Sequence, residues 1–548
     1  MNIKQVCLLI LIVFLAFFLR FYKVTEVPPS LNWDEVSIAY NAYSILKTGQ
    51  DEWGVSYPLH FKSYGEYKLP AQIYASIPGI AIFGLNELGV RITPVIYGSL
   101  TVLLLFFLGS SLFKSTQVGL LSAFLLAISP WHIHLTRGSF ESSFAVFWVV
   151  LGMWLLVKGF SEPKWGIVAM IPFAISVYTY NSARVFTPLF LLTVLIIYFN
   201  FFKKNFKHLV IALLVFGALL TPLIPFVLSG EGSARYKLVS VSDDPGLIPR
   251  INENRGNSLL PQPLPRFVHN KLTYISFYYV KNYLEHFSPQ FLFISGAPHK
   301  QHHVQEMGML YWFQAPFLLL GLYLLFREKH KYKGLLTAWI LIAFLPVATT
   351  NDSIPHALRT LIASPWYQLL TAFGLVRVFE LLKKKEIRWG FVLLIIALGV
   401  AQFSVYINNY YTKYPKLYSR DWQYGYKQAV EYIENHYGEY DKIVFTRHWG
   451  EPHMFTLFYM GYDPEKFRED SKLNRFETYD WIRVLNFDKF YFPDLGDEGT
   501  KYQDIVNQYK GEKILFIGKY NDFPIGTRKL ETIKFLNGDV AFEIVDNY

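Results

Sequence analysis

The sequence predicts a polytopic α-helical membrane protein of about 11 transmembrane helices, with a small C-terminal α/β domain outside the membrane. The 548-residue chain is 52% hydrophobic and 17% charged, and a soluble protein of this size would carry more charge. Long apolar runs recur through residues 1–410, and several reach the roughly 20 residues that cross a bilayer. Residues 411–548 are polar and alternate strand-like with helical stretches.

The apolar runs justify the helices in chain order. The first run contains no charge, and the eleven runs occupy residues 6–19, 92–113, 118–135, 142–157, 165–180, 185–202, 208–228, 310–326, 334–350, 357–382 and 389–407. The segment 69–84 contains Pro78 and is short, so we interpret it as a helix lying in the membrane interface. The amino terminus resembles a signal peptide, but no small-residue cleavage site follows, so we expect a retained helix.

Lysine-rich loops predict the orientation, because Lys and Arg collect in cytoplasmic loops. Alternate loops carry the basic residues Lys114; Lys158 and Lys164; Lys203, Lys204 and Lys207; Arg327, Lys329, Lys331 and Lys333; and Lys383, Lys384, Lys385 and Arg388. We therefore attribute the net charge of +10 to the basic cytoplasmic loops and not to a nucleic-acid-binding surface. With a cytoplasmic amino terminus, the long loops 25–90 and 229–309 and the tail from about 411 face outward. The single cysteine, Cys7, leaves the outward domain without cysteine, which favours a prokaryotic plasma membrane.

The tail contains four strand-like runs, at 441–446, 489–495, 513–519 and 532–536. Helical stretches lie at 423–436 and 500–509, so the tail is expected to form a small α/β domain. The stretch RHWGEPH (447–453) offers two histidines and a glutamate, and we interpret it as a surface turn in preference to a metal site.

Carboxylates and lone arginines mark the predicted outer face. Asp34 and Glu35, in LNWDEVSIAYNA, follow the first helix, and ionisable groups at a membrane rim indicate function. Adjacent helical residues point about 100° apart, so one of the two can face a cavity while the other caps the helix. The short outer loops each carry one Arg and no Lys, which suggests forked contacts to an anion: Arg137, Arg184 and Arg359.

This combination of groups predicts group transfer from a lipid phosphate. A phosphate leaving group needs cations or a metal ion to stabilise its charge, and an incoming hydroxyl or amine needs a base such as a carboxylate. Glu141, four residues after Arg137, fits either an ion pair on one helix face or a place in the site.

The order of several motifs resembles the GT-C glycosyltransferases. The stretches WDEVSIAYNAYSILKTG, EYKLPAQIYASIPG and LAISPWHIHLTRGSFESSF are similar to the branch of protein O-mannosyltransferases and lipid A aminoarabinose transferases. The similarity is continuous over about 25–160 and weaker in YTYNSARVFTPL and NDSIPHALRTLIASPW. The oligosaccharyltransferase branch is disfavoured, because RDWQYG does not match its Trp-Trp-Asp signature.

The resemblance implies a polyprenyl-phosphate sugar donor, an outward active site and inversion at the anomeric carbon. It implies that Asp34 is the catalytic carboxylate, with Glu35 its neighbour, and that Lys68 binds the donor phosphate. In this chain Leu69 replaces a proline of the family motif. Arg137, Arg184, His356 and Arg359 lie in family-like outer segments, and we interpret them as further phosphate ligands.

Metal dependence and the acceptor stay open. Family members differ in metal use, so a divalent ion is a candidate cofactor. Its candidate ligands are Glu141 and the histidines His299, His302 and His303, whose own segment, 299–303, is otherwise interpreted as a surface loop. The acceptor can be a protein, a lipid or a glycan. The alternatives are a ligase or polymerase of lipid-linked glycans, which lacks an acidic pair after helix one, and a non-catalytic membrane anchor for the C-terminal domain. A transporter would show mid-membrane charges and inverted repeats, and neither is evident.

Overall fold

The structure is a computed structural model that describes residues 1–478, 481–496 and 499–548 and forms two compact units. The helical unit contains residues 1–22, 94–136 and 140–407. The mixed unit contains residues 23–93, 137–139 and 408–548, so the first long loop and the tail belong to one unit.

The helical unit consists of helices of very different lengths. Their bounds are Ile3–Phe21, Thr116–Ala127, Pro130–Leu135, Glu141–Gly159, Lys164–Val177, Asn181–Ile197, Phe199–Lys204, Phe206–Leu220, Ile224–Leu228, Ala234–Val239, Leu247–Gly256, Leu264–Val268, Lys271–Glu285, Gln314–Arg327, Lys333–Ala343, Leu345–Ala348, Ser364–Leu381 and Lys385–Asn408. The helix Glu87–Phe113 begins in the mixed unit and continues into this one. Asn2 starts the first helix by accepting from the Gln5 backbone at 3.0 Å, while Gln5 Oε1 accepts from the Asn2 backbone at 3.0 Å.

Each of the eleven predicted spans contains a helix. Among the described residues, five helices are long and apolar enough to cross a membrane: Ile3–Phe21, Glu87–Phe113, Glu141–Gly159, Phe206–Leu228 and Lys385–Tyr418. Six apolar helices are shorter, and one of them, Pro70–Phe83, covers the segment interpreted as interfacial. The apolar helices agree with a polytopic membrane protein, and the count of eleven spans stays a prediction.

The mixed unit combines helices with two sheets. Its helices are Trp33–Thr48, Pro70–Phe83, Tyr414–Tyr418, Tyr426–Asn435, Pro452–Tyr459, Pro464–Glu469 and Tyr502–Gln508. Its strands are β1 (Phe61–Ser63), β2 (Glu66–Lys68), β3 (Lys442–Phe445), β4 (Asn474–Glu477), β5 (Ile482–Phe487), β6 (Phe490–Tyr491), β7 (Ile514–Gly518), β8 (Lys529–Lys534) and β9 (Val540–Asp546). Strands β1 and β2 form a hairpin, which places Lys68 opposite Phe61.

The larger sheet has the strand order β4-β5-β6-β3-β7-β9-β8. Strand β3 pairs in parallel with β6 and β7, and the other pairs are antiparallel. All four predicted strand runs overlap a strand, although the run 489–495 is paired only over Phe490–Tyr491 and the run 532–536 covers only the end of β8. Strands β4, β5 and β9 and the helices Pro452–Tyr459 and Pro464–Glu469 were not predicted.

The core of the mixed unit joins the first loop to the tail. Val36 and Tyr40 of the Trp33–Thr48 helix belong to the same buried cluster as Phe455, Phe458 and Phe487 of the tail. The Tyr40 hydroxyl also donates to the Tyr462 carbonyl at 3.1 Å. Burial of aromatic and aliphatic side chains dominates such packing, so the tail holds the start of the Trp33–Thr48 helix in place.

Candidate active site

Asp34 and Lys68 form an ion pair at the start of the Trp33–Thr48 helix. The Lys68 ammonium donates to the Asp34 carboxylate. The lysine side chain is 2% exposed, whereas the aspartate side chain is 41% exposed. Asp34 is the second residue of its helix, where the helix dipole favours a negative charge. The pair therefore offers solvent a carboxylate with a buried cation behind it.

Glu35 lies next to Asp34 in the chain but is fully buried. Arg91 binds it in a forked pair, with Nε 3.0 Å from Oε1 and Nη2 3.1 Å from Oε2. The Ser139 and Asn32 backbone N–H groups donate to the same carboxylate at 3.0 and 3.2 Å. Asn32 caps the helix by accepting from the Glu35 backbone at 3.0 Å, which completes a capping box. Both Glu35 oxygens are thus engaged inside the protein.

Arg137 is fully buried in the mixed unit. Its guanidinium donates to the Val27 carbonyl at 2.6 and 3.1 Å and to the Lys23 carbonyl at 3.1 Å. It also lies over the rings of Tyr410 and Tyr411, at 5.4 and 5.3 Å from their centroids. These contacts hold the chain that leads from the first helix to the Trp33–Thr48 helix. Arg137 therefore uses for a structural role the same forked guanidinium that could bind an anion.

Aromatic rings surround the buried cation. The Lys68 ammonium lies 5.7 Å from the centroid of Tyr64, whose hydroxyl donates to the Trp33 carbonyl at 2.9 Å. Burial, together with the nearby carboxylate of Asp34, raises the pKa of Tyr64 well above its usual value, so the phenol stays neutral. The Tyr64 ring stacks on Trp481 at 6.0 Å, which connects the hairpin to the tail.

The helical unit holds the predicted residues His356 and Arg359 in one segment. Arg359 donates to Asp352 Oδ2 at 2.7 Å and to Thr350 Oγ1 at 2.9 Å. His356 is buried, and its backbone N–H donates to His286 Nε2 at 3.0 Å. Burial lowers the pKa of His356 well below its usual value, and the Arg359 charge adds to that effect.

His299 and His302 stack on each other in the helical unit, with ring centroids 3.7 Å apart. His302 lies 5.1 Å from the ring of His356, whereas His303 is buried with Nε2 2.6 Å from the Met307 carbonyl oxygen. The segment 299–303 is a turn with Lys300 exposed, as a surface loop would be, and the rings of His299 and His302 pack against each other within it. Across the described part of the chain, no group of three or more His, Cys, Asp or Glu side chains is arranged to hold a metal ion.

Two predicted residues occupy other positions in the helical unit. Arg184 donates to Asn181 Oδ1 at 3.0 Å and lies 4.8 Å from the ring centroid of Phe226. Glu141 is the first residue of the Glu141–Gly159 helix, where a carboxylate interacts favourably with the helix dipole. The preceding Phe140 contacts His302 edge to face at 5.4 Å.

The stretch 447–453 begins as the surface turn that the sequence suggested, with His448 exposed, but its end is buried. Glu451 and His453 are both 4% exposed, and Glu451 Oε1 accepts from Trp481 Nε1 at 2.6 Å. His453 Nδ1 lies 3.4 Å from Glu451 Oε2. The buried glutamate thus binds the indole of Trp481, the residue that precedes strand β5.

Several residues around Asp34 were missed at the sequence level. The Asn32-x-x-Glu35 spacing is a capping-box signal that could have separated the structural from the exposed carboxylate. Contacts between distant parts of the chain bring in Arg91, Tyr64, Trp481 and Gln423, whose Oε1 accepts from the Trp33 backbone at 2.8 Å. No local pattern marks such contacts.

An apolar cavity of about 480 Å³ lies in the helical unit. It lies between the helices Ile3–Phe21, Thr116–Ala127 and Lys385–Asn408, and Gln117 is its one polar lining side chain among the described residues. Such a lining suits a hydrocarbon chain.

Comparisons with known proteins agree with this fold. The family model of dolichyl-phosphate-mannose-protein mannosyltransferases matches residues 72–224. No curated protein matches the chain. ArnT from Cupriavidus metallidurans, solved with undecaprenyl phosphate, superposes with a TM-score of 0.55 at 11% identity, covering 100% of this chain and 99% of ArnT. Its apo structure gives 0.54 at 11% identity, covering 100% and 98%.

The oligosaccharyltransferase of Archaeoglobus fulgidus is also similar, with a TM-score of 0.51 at 13% identity. The match covers 83% of this chain and 63% of that protein's length. These structural neighbours are glycosyltransferases. The predicted resemblance to the GT-C glycosyltransferases is thus confirmed at the level of the fold, and the chain is an integral membrane protein.

Proposed function

We propose that the chain transfers a sugar from a polyprenyl-phosphate donor to an acceptor at the outer face of a prokaryotic plasma membrane. The observation that carries this proposal is the pairing of a half-exposed Asp34 with a buried Lys68 in a chain with this fold. A carboxylate and a cation at one point are the two groups that displacement of a phosphate by a hydroxyl requires. The apolar cavity of the helical unit supports a lipid-linked donor.

In this proposal Asp34 is the base and Lys68 the phosphate ligand. The acceptor oxygen attacks the anomeric carbon from the face opposite the phosphate, its proton passes to Asp34, and the carbon–oxygen bond to the phosphate breaks. The bonding electrons leave with the polyprenyl phosphate, whose growing charge Lys68 neutralises. A single displacement of this kind inverts the anomeric configuration.

Donor binding and base activation are coupled in this arrangement. The Lys68 ammonium donates to Asp34, so a donor phosphate competes with Asp34 for the same cation. Once the phosphate takes that hydrogen bond, the aspartate oxygen turns to the acceptor hydroxyl. Glu35 is assigned a structural role, because its oxygens are taken by Arg91 and two backbone N–H groups. His356 and Arg359 remain proposed phosphate ligands of the helical unit, and the Asp352 carboxylate competes with the phosphate for Arg359.

The test is a transfer assay on purified protein with a panel of polyprenyl-phosphate sugars. Asp34→Asn is expected to lower transfer by about 10²–10⁴, the usual contribution of a general base. Its affinity for undecaprenyl phosphate should be unchanged or higher, because the competitor for Lys68 has been removed. Lys68→Met should weaken that binding by about 1–3 kcal/mol.

Lys62→Met is the matched control, since Lys62 lies on the neighbouring strand of the same hairpin and pairs with Glu477 at 2.9 Å. It should leave transfer and donor binding unchanged. Near-normal turnover by folded Asp34→Asn protein would show that Asp34 is not the base. Consumption of none of the donors by the wild-type protein would contradict the proposed reaction.

A further inference from the structure

A cavity of about 580 Å³ lies in the mixed unit beside the start of the Trp33–Thr48 helix. We call it the indole groove, and its main lining side chains are Trp33, Trp449, Trp481, Arg420, Arg447 and Arg483. Most of the residues that line the groove come from the two stretches 420–423 and 447–453, to which the proposed reaction gives no role. Concave sites with a few fixed polar groups are the usual form of a ligand site.

The indole rings of the groove are held rigidly. Trp449 Nε1 donates to the Ala541 carbonyl at 2.9 Å, and Trp481 Nε1 donates to the buried Glu451 at 2.6 Å. The ring of Trp33 lies 6.0 Å from that of Trp481. Because these N–H groups are satisfied inside the protein, Trp449 and Trp481 present mainly apolar ring faces and edges to the cavity. The negative face of an aromatic ring attracts the polarised C–H groups of a sugar ring.

Arginine and carboxylate side chains, whose charged groups are planar, also line the groove. The Arg420 guanidinium lies 4.4 Å from the ring centroid of Trp449, and Arg447 pairs with the exposed Asp494 at 2.7 Å. Arg483 lies on strand β5, and its charge, together with that of Arg447, lowers the pKa of the Asp494 carboxyl. Guanidinium and carboxylate groups bind two neighbouring hydroxyl groups at once, as donors and acceptors respectively.

The charges of the groove are balanced. Its three arginines face three carboxylates, those of Asp421, Glu451 and Asp494. A site for a polyanion would carry a clear excess of cations. Apolar ring faces with balanced planar charges fit a neutral molecule rich in hydroxyl groups.

The groove is connected to the candidate active site within the mixed unit. Trp33 lines the groove and precedes Asp34 in the chain, and its backbone N–H donates to Gln423 Oε1 at 2.8 Å. The Gln423 amide in turn donates to the Trp449 carbonyl at 2.8 Å. Trp481 stacks on Tyr64, which lies over Lys68. A ligand in the groove is therefore next to the residue that we propose as the base.

We propose that the indole groove binds the acceptor and that this acceptor is a neutral saccharide. The role of this saccharide as the acceptor rests on the proposed function, whereas saccharide binding itself can be measured without any transfer. The hydroxyl that attacks the donor would then belong to a sugar held by Trp449, Trp481 and Arg483.

The experiment measures binding of neutral tetrasaccharides to the full-length protein in nanodiscs, by saturation-transfer NMR and by tryptophan fluorescence. The probes are mannotetraose, maltotetraose and chitotetraose, with a Ser/Thr-rich peptide as the competing class. At least one tetrasaccharide is expected to bind in the millimolar range or tighter. Arg483→Ala and Trp449→Ala should each weaken that binding by roughly tenfold, which corresponds to about 1.4 kcal/mol.

Two further variants make the outcomes distinguishable. Arg528→Ala alters an exposed arginine of the tail outside the groove and should not change saccharide binding. Asp34→Asn should also retain it, even where transfer is lost. Binding of the peptide alone, no saccharide binding to the wild-type protein, or equal binding to the Arg483→Ala variant would overturn the inference. None of these results would affect donor binding at Lys68, which is measured separately with undecaprenyl phosphate.

Discussion

Two adjacent carboxylates have opposite environments in this protein. Asp34 is exposed over 41% of its side chain, whereas Glu35 has no exposed surface and is held by Arg91. The helical angle between neighbouring residues turns one toward solvent and the other toward the chain that precedes the helix. The residue type alone therefore does not assign the catalytic role, and the hydrogen bonds around each carboxylate do.

Replacing Glu35 by Gln tests its structural assignment. The change keeps the side-chain size but leaves the buried Arg91 guanidinium without its anion. Breaking a buried pair in this way typically costs about 3–5 kcal/mol. We expect a correspondingly large fall in the free energy of unfolding, measured by denaturant titration in detergent.

Glu87→Gln is the control for that measurement. Glu87 pairs with Lys427 at 2.9 Å, and both partners keep some exposed surface. Partly exposed pairs contribute roughly 0–1 kcal/mol, so this variant should be close to the wild type. An equal loss in both variants would argue against a special role of the Glu35–Arg91 pair.

At the residue scale, the sequence indicated which residues matter, but it was a poorer guide to the groups that their side chains contact. Lys68 and Asp34 were predicted through the family resemblance, and the structure pairs them. Arg137 was interpreted as an anion ligand, yet its fork holds the carbonyls of Lys23 and Val27. A lone outer arginine carries no local signal that separates a phosphate from a carbonyl partner.

At the element scale, hydropathy predicted the helices because each apolar run is continuous. Strand β7, with all five of its residues buried, gave a similarly strong signal. Strand β4 was missed because it is mostly exposed, so no alternation of apolar and polar residues marks it. The stretch 447–451 has no repeating pattern, and its packing depends on Trp33, more than four hundred positions earlier.

Gly450 is the element-scale test of that packing. Its φ of +141° is rarely adopted by other residues, and a Cβ there would lie 2.2 Å from Gln423 Nε2 and 3.0 Å from the Trp33 ring. Gly450→Ala should therefore destabilise the protein by about 1–3 kcal/mol and displace the loop beside Trp33. Gly438→Ala has open space around the added carbon and should behave like the wild type in the same thermal-unfolding measurement. Equal melting temperatures for the two variants would contradict this packing.

The histidine that follows the Lys271–Glu285 helix, His286, has a protonation state that can be tested. His286 Nδ1 lies 2.7 Å from the Asn282 carbonyl oxygen, and Nε2 accepts from the His356 backbone, so the ring is held neutral with its proton on Nδ1. Burial lowers the pKa of His286 to about 4, and it also lowers the pKa of His303 to about 4. Protonation would place an N–H against the His356 N–H.

Acidification should destabilise this segment. A histidine with a lowered folded-state pKa binds a proton on unfolding, so its contribution is complete above about pH 6.5 and is lost as the pH falls toward 4. Since each pKa unit corresponds to about 1.4 kcal/mol, the loss for one ring is on the order of 3 kcal/mol. His269, a half-buried residue that follows the Leu264–Val268 helix, serves as the control. The melting temperature between pH 7 and pH 4 should fall less in His286→Gln than in His269→Gln, and identical acid sensitivity would count against this explanation.

At the scale of the whole molecule, the first loop and the tail share one core. The sequence predicted a membrane domain of residues 1–410 that included the loop 25–90, with a separate domain from 411. In the structure, residues 23–93 and 408–548 belong to one unit, with Val36, Tyr40 and Phe455 in one buried cluster. Contacts between segments so far apart leave no trace in composition, so only the units' secondary structure was predictable.

Membrane topology is the last prediction, and it tests the lysine pattern as a whole. The basic loops at 114, 158–164, 203–207, 327–333 and 383–388 alternate with outer loops, of which the three short ones carry one arginine and no lysine. This pattern predicts eleven spans with a cytoplasmic amino terminus. Reporter fusions after residue 410 and within 203–207 should report opposite sides.

An insertion in 84–86, after the Pro70–Phe83 helix, should report the same side as residue 410 if that 14-residue helix does not cross the membrane. Its 14 residues rise only about 21 Å, less than the roughly 30 Å hydrocarbon core. A reporter at 84–86 on the side of 203–207 would make this helix a span, and reporters at 203–207 and after 410 on one side would contradict the eleven-span topology.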